Sequence, residues 1–191
     1  MKNKEDNFKE KFKLALTSTA KVISDDYTLG IDKKTKNLSS KNIDFFELDN
    51  LNTKSDFIKV RAETDSKALI KKFSNNEIYK KNSPKNRSCK ALYDLAEKIR
   101  CEVLGTKILK GIAKNLQENY VQNLSLKRKD QLKTKDDVSI VEAFELYMLK
   151  NFLNIKLNNL SQKILSFWEK ELDSSINNHI EFLTNNLENQ S

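Results

Sequence analysis

Apolar positions recur along most of this chain at helical spacing. Phe8, Phe12, Ala15, Thr19 and Ile23 follow one another at four, three, four and four, an amphipathic stripe that stops near Asp25 and Asp26. Over residues 27–52 the rhythm is lost. Residues 27–31 and 43–48 read as two short strands around a polar loop, a candidate β-hairpin near residues 27–48. A second helix is expected from a Ser55 cap, with Asp56 in its first turn and Phe57, Val60, Ala68, Leu69 and Phe73 on its apolar side. Residues 74–82 are polar, a loop or a short helical turn. Ser83-Pro84 offers a capping hydroxyl followed by a proline suited to the first helical position.

The strongest periodic run carries Leu92, Leu95, Ala96, Ile99 and Val103, and then Leu109, Ile112, Ala113, Leu116 and Tyr120. Gly105 and Gly111 interrupt it. They mark either a break between two helices or a close helix crossing where a missing side chain lets backbones approach. After a charged connector, a helix capped by Asp137 or Ser139 carries Val141, Phe144, Met148 and Phe152. The last amphipathic pattern runs from about residue 159 to 188 through Leu160, Ile164, Phe167, Trp168, Leu172, Ile176, Ile180, Leu183 and Leu187. It predicts one long C-terminal helix whose end projects as an extension or coiled-coil stem. The expected fold class is therefore mainly α: a multi-helix domain over residues 1–157 and a long helix or extension over residues 158–191.

Composition sharpens this picture. With 191 residues, 38% hydrophobic and 32% charged, the chain has the apolar content of a folded soluble protein. Three glycines and one proline are too few for an all-β sandwich or barrel. No stretch approaches the roughly 18 to 20 apolar residues of a membrane span. The first residues lack the apolar core of a signal peptide, so a cytoplasmic location without membrane contact is expected. Cys89 and Cys101 lie twelve residues apart, roughly 18 Å along one helix, too far for a disulfide.

The formal charge of +8 raises the alternative of a basic helical nucleic-acid-binding module. Its carriers would be two runs: Lys80, Lys81, Lys85, Arg87 and Lys90, then Lys127, Arg128, Lys129, Lys133 and Lys135. Lysine and asparagine are abundant throughout, however, and the C-terminal segment is acidic, which favours solvated linkers over a polyanion site.

The search for reaction chemistry is negative. Neither G-x-x-x-x-G-K-[ST] nor G-x-G-x-x-G occurs. The single histidine, His179, reads as a surface residue, and the two cysteines lack a C-x-x-C partner. Asp136-Asp137 sits in a polar connector, where helix capping is its job. No catalytic, cofactor-binding or metal-ligating residue is assigned, and no cofactor is expected on this chain.

One string is distinctive. The run A-L-Y-D-L-A-E-K-I-R-C-E-V-L-G over residues 91–105, followed by G-I-A-K-N-L over residues 111–116, resembles the N-terminal region of the CobT subunit family of aerobic cobaltochelatase. That family carries F-D-A-x-E-x-x-R-V-E-A-x-G and then A-R-R-M-x-G-V-A-x-N-L. Arg100, Glu102, Gly105, Gly111, Ala113, Asn115 and Leu116 stand in matching positions. Upstream, Arg61, Asp65, Ser66, Ala68 and Leu69 are similar in spacing to its R-G-x-A-D-S-x-A-L segment. Ser83-Pro84 falls where the family has Ala-Pro. Downstream, Glu142-Ala143 and residues 165–168 resemble its E-E-A-V and L-D-L-W segments. The chain departs from the family at Lys107-Ile108, where an Arg-Arg pair stands, and at Ser74 and Tyr79, which replace a His-containing stretch.

The resemblance implies a non-catalytic adaptor of cobalamin biosynthesis. It would work beside a CobS-type AAA+ ATPase and a CobN-type corrinoid-binding subunit, which together use ATP to insert cobalt into hydrogenobyrinic acid a,c-diamide. The family's acidic linker and its von Willebrand factor A domain have no counterpart before Ser191, so the likeness is to the N-terminal region, as a fragment or a short form. Arg100, Glu102, Gly105, Gly111 and Asn115 are the candidate partner-binding or motif residues. Arg100 and Glu102, two apart, point to different sides of a helix, so each should bond a neighbouring helix or a partner. Gly111 and Asn115, four apart, share a side and could seat a crossing helix.

Overall fold

The computed structural model describes residues 2–29, 51–126 and 132–190. Among them there are helices and turns and no strand. The candidate hairpin falls largely on residues 30–50, outside the described residues, and its first residues, 27–29, are turn and coil.

The first helix, α1 (Lys2–Ser24), lies along α2 (Lys54–Phe73). Its buried positions are Leu16, Ala20 and Ile23, with Phe12 packed beside them, so the inward face is rotated from the stripe read in the sequence. Ala15 and Thr19 face out, and Phe8 is 57% exposed. The reason is Phe57 on α2. It takes Phe12 edge-on at 4.9 Å and Phe8 at 5.5 Å, which makes Phe12, Leu16 and Val60 a small second core with Leu51. Lys71 and Lys72 near the end of α2 pair with Asp26 at 2.7 Å and Asp25 at 2.5 Å, pinning the chain just beyond α1.

The predicted α2 forms with its cap two residues earlier than Ser55. Thr53 accepts the Asp56 N–H, and the Asp56 carboxylate accepts the Thr53 N–H at 2.7 Å, a capping box. Residues read as loop or short turn form α3 (Asn76–Asn82), capped by Asn75. The next helix, α4 (Arg87–Ile108), starts three residues beyond Ser83-Pro84, because Asn86 supplies the cap by accepting from the Ser88 and Cys89 N–H groups.

Helix α4 ends and α5 (Lys110–Leu126) begins at Leu109, whose extended backbone (φ −132°, ψ 113°) breaks the ladder. The break therefore lies between the two glycines, which do different things. A methyl on Gly105 would lie 2.5 Å from Leu69 Cδ1 and 3.0 Å from Leu69 Cγ, so Gly105 marks a close crossing of α4 with α2. At Gly111, no atom of the described residues lies within 4 Å of where a Cβ would stand.

Ser139, not Asp137, caps α6 (Ile140–Phe152); Asp137 closes the preceding turn of 3-10 helix with Thr134. Helix α6 packs on α4, burying Ala143, Leu146, Tyr147 and Leu149 in the main core with Ile99, Leu104, Leu69 and Leu116.

The single long C-terminal helix does not form. The segment is α7 (Asn159–Ser166), α8 (Glu169–Ile176), a 3-10 turn (Asn177–His179) and α9 (Ile180–Asn185). Trp168 (φ −126°, ψ −6°) and Ile176 (φ −124°, ψ −30°) are the two breaks. At the first, the Trp168 indole N–H donates to Val138 O at 3.0 Å, while Ile164 and Leu165 just before it are buried in the core. A straight helix of thirty residues would be about 45 Å long and would carry its distal leucines into water. The bends instead bury Leu172 and Leu187, and the segment closes the bundle rather than projecting from it.

The two glycines yield a paired prediction. Gly105→Ala should destabilise the protein by about 1–3 kcal/mol, since Leu69 is 1% exposed and repacks only with strain. Gly111→Ala should stabilise it by about 0.5–1 kcal/mol through helix propensity alone. Urea denaturation of both variants reads the opposite signs.

Candidate docking site

The motif residues of α2 meet those of α4 and α5 pair by pair. Ser66 donates to Glu102 Oε1 at 2.6 Å, and the Tyr120 hydroxyl of α5 donates to Glu102 Oε2 at 2.6 Å. Lys98 Nζ stands 3.8 Å from the same carboxylate, one helical turn away, and 5.4 Å from the centre of the Tyr120 ring. Glu102 is 1% exposed. Burial pushes its carboxyl above the ordinary range, although Lys98 and the two hydroxyls oppose the shift. Burial and the neighbouring Glu102 also raise the Tyr120 phenol, so it stays protonated and serves as a donor.

One turn along, Asn115 Nδ2 donates to Asp65 Oδ2 at 2.7 Å. Asp65 Oδ1 has no hydrogen-bond partner among the described residues, and burial raises that carboxyl as well. Asn115 thus does bond the crossing helix, whereas Gly111, on the same side, is exposed and seats nothing.

Arg100 faces the opposite way from Glu102. Its guanidinium makes a two-point ion pair with Glu97, through Nε at 2.8 Å and Nη2 at 2.9 Å. Nη2 also donates to Phe73 O, the last carbonyl of α2, at 2.8 Å, and Nη1 donates to Leu187 O at 2.6 Å. Burial alone would raise the Glu97 carboxyl; the bonds from Arg100 more than offset this and hold it below its ordinary value. Gln190 completes the clasp. Its Nε2 donates to Glu97 Oε1 at 2.9 Å, and its Oε1 accepts the Asn75 N–H at 2.6 Å. Cys101, buried beside this pair, has its thiol pushed up to about 12 by burial and by Glu97.

Beside the clasp lies a cavity of about 180 Å³ between α4, α6 and the C-terminal segment. Tyr93 and Val103 of α4, Met148 and Phe152 of α6, and Leu183 and Leu187 line it, with Glu97 and Arg100 at its polar wall. Leu183 is 41% exposed and its neighbour Phe182 65% exposed.

Of the five candidates, Arg100, Glu102, Gly105 and Asn115 hold helices to one another, and Gly111 faces solvent. Sequence reasoning missed Glu97, Ser66 as the partner of Glu102, Tyr120 and Gln190. Glu97 had a signal, three residues before Arg100 on the same helix. Gln190 had none, because its partners, the Asn75 N–H and the Glu97 carboxylate, lie far away in sequence. The first basic run (Lys80, Lys81, Lys85, Arg87, Lys90) is exposed on α3 and the start of α4, while Lys127, Arg128 and Lys129 of the second lie outside the described residues. Among the described residues, no group of three or more His, Cys, Asp or Glu could hold a metal ion, and no helix is long and apolar enough to cross a membrane.

Fold and site together define a helical bundle with a polar crossing at its centre and a C-terminal segment clasped over an apolar groove. The chain belongs to the CobT family of cobalamin biosynthesis proteins: the family model described as cobalamin biosynthesis protein CobT matches residues 6–191. No solved structure matches the chain.

Two predictions come from these contacts. Because the folded-state carboxyl of Glu102 titrates above its unfolded value, the native state holds more protons over that interval, and stability falls as pH rises through it. Glu102→Gln should flatten that part of a stability-versus-pH curve measured by urea denaturation from pH 4 upwards. Arg100→Ala should cost about 3–5 kcal/mol, since it leaves the buried Glu97 without its cation. Arg100→Lys should lose the fork that reaches three acceptors and speed amide exchange after residue 186.

Proposed function

We propose that this chain serves as a non-catalytic adaptor in the ATP-dependent cobaltochelatase that inserts cobalt into hydrogenobyrinic acid a,c-diamide. The observation that carries the reading is the family match across residues 6–191. The packing supports it: the motif residues Asp65, Ser66, Arg100, Glu102 and Asn115 bond one another or helix ends, a pattern suited to presenting a fixed surface. The partners on this reading are a CobS-type AAA+ ATPase and a CobN-type corrinoid-binding subunit in the cytoplasm. On the same reading, ATP and cobalt are handled by those companions.

Co-purification of the full chain with each companion tests this. The expected result is a complex with at least one of them, and slower cobalt insertion when the chain is left out of a reconstituted reaction. Failure to associate with either companion, or an insertion rate indifferent to the chain, would defeat the proposal.

A further inference from the structure

The end of the chain is firmly held, so the cavity beside it is a fixed feature with the C-terminal segment as one wall. Leu187 is buried and its carbonyl accepts from Arg100, while Gln190 bonds Asn75, Ser74 and Glu97. Inside this wall lies about 180 Å³ of space, partly open to solvent. Ile99 and Val103 of α4, Met148 and Phe152 of α6, and Leu183 and Leu187 give it a mostly apolar surface. Protein interiors leave few voids larger than a water molecule. Water gains little in such a place, because it needs about two to four polar partners. A cavity of roughly 150 Å³ with leucine, isoleucine and phenylalanine walls takes up a benzene ring instead.

The polar lining narrows the choice of guest. Glu97 and Arg100 supply its charges, and Asn186 and Asn189 add amides. Four of the five N–H groups of Arg100 have acceptors: Nε and Nη2 bond Glu97, Nη2 also bonds Phe73 O, and Nη1 bonds Leu187 O. The second N–H of Nη1 has no acceptor among the described residues. Because Glu97 already balances the guanidinium, a carboxylate guest would stand against Glu97 and an ammonium against Arg100. An uncharged acceptor meets the spare N–H without either conflict. The Met148 sulfur and the Phe152 and Tyr93 rings favour an aromatic body over an aliphatic one.

We propose that this cavity is a binding site for a small neutral molecule with one aromatic ring and one hydrogen-bond acceptor. The ring lies among Val103, Met148, Phe152 and Leu183, and the acceptor takes the remaining Nη1 proton of Arg100. The C-terminal segment stays where it is. The site is independent of the adaptor reading, and its test involves no companion subunit.

Benzyl alcohol is the probe, titrated into the full chain with methyl-labelled methionine, valine and leucine and followed by NMR. Binding should saturate with a dissociation constant of about 1 mM or tighter, which is within reach of a guest of this size. The shifts should concentrate at Met148, Val103, Leu183 and Leu187. Leu183→Trp fills the cavity from a position that is 41% exposed and so tolerates a larger side chain; it should weaken binding at least tenfold. Ala96→Leu does the same from α4 and serves if the first variant does not fold. Benzoate and benzylammonium should each bind at least tenfold more weakly than the alcohol. Absence of saturation, shifts scattered over the surface, or an affinity that survives both filled variants would overturn the site. Benzoate or benzylammonium binding as tightly as the alcohol would overturn its assignment to an uncharged guest.

Discussion

The close approach of α4 to α2 at Gly105 governs the rest of the structure. Leu69 of α2 occupies the space where a side chain at Gly105 would stand, so the two helices cross closely there. Nearby, Ser66 meets Glu102 across the crossing. A carboxylate with 1% exposure would be costly without donors. Two hydroxyls and the flanking ammonium of Lys98 supply them, and each hydroxyl comes from a different helix. The buried acid therefore specifies how three helices stand against one another, at a cost in raw stability that an apolar core would not carry.

The same approach decides where α2 ends relative to α4. It brings Phe73 O onto Arg100, and the guanidinium, with donors left over, reaches Leu187 O as well. Glu97 keeps that cation ordered and takes Gln190 in turn. One ion pair thus ties the end of α2, the middle of α4 and the end of the chain. The clasp holds two backbone carbonyls through Arg100 and the Gln190 side chain through Glu97.

The main core lies between α2, α4, α5 and α6, where Leu69, Ile99, Leu146 and Leu149 are almost fully buried. The C-terminal segment adds Ile164 and Leu165, also almost fully buried, and Leu172 and Leu187 nearer the margin.

By itself the sequence determined the helical class and the approximate places of α2, α4, α5 and α6. Local apolar periodicity and capping chemistry are enough for that, and the caps at Thr53, Asn86 and Ser139 shift the starts by no more than a few residues. The family motif was legible too, and so was the expectation that Arg100 and Glu102 would bond different neighbours. What only the tertiary structure decided was non-local. The inward face of α1 follows Phe57, a residue on another helix. The C-terminal pattern keeps its helical phase through Leu160, Ile164, Phe167, Leu172, Ile176, Ile180, Leu183 and Leu187, and that phase cannot distinguish a straight helix from one bent at Trp168 and Ile176. The bends answer to a carbonyl at Val138 and the clasp to carbonyls at Phe73 and Leu187, and a backbone carbonyl looks the same at every position in a sequence.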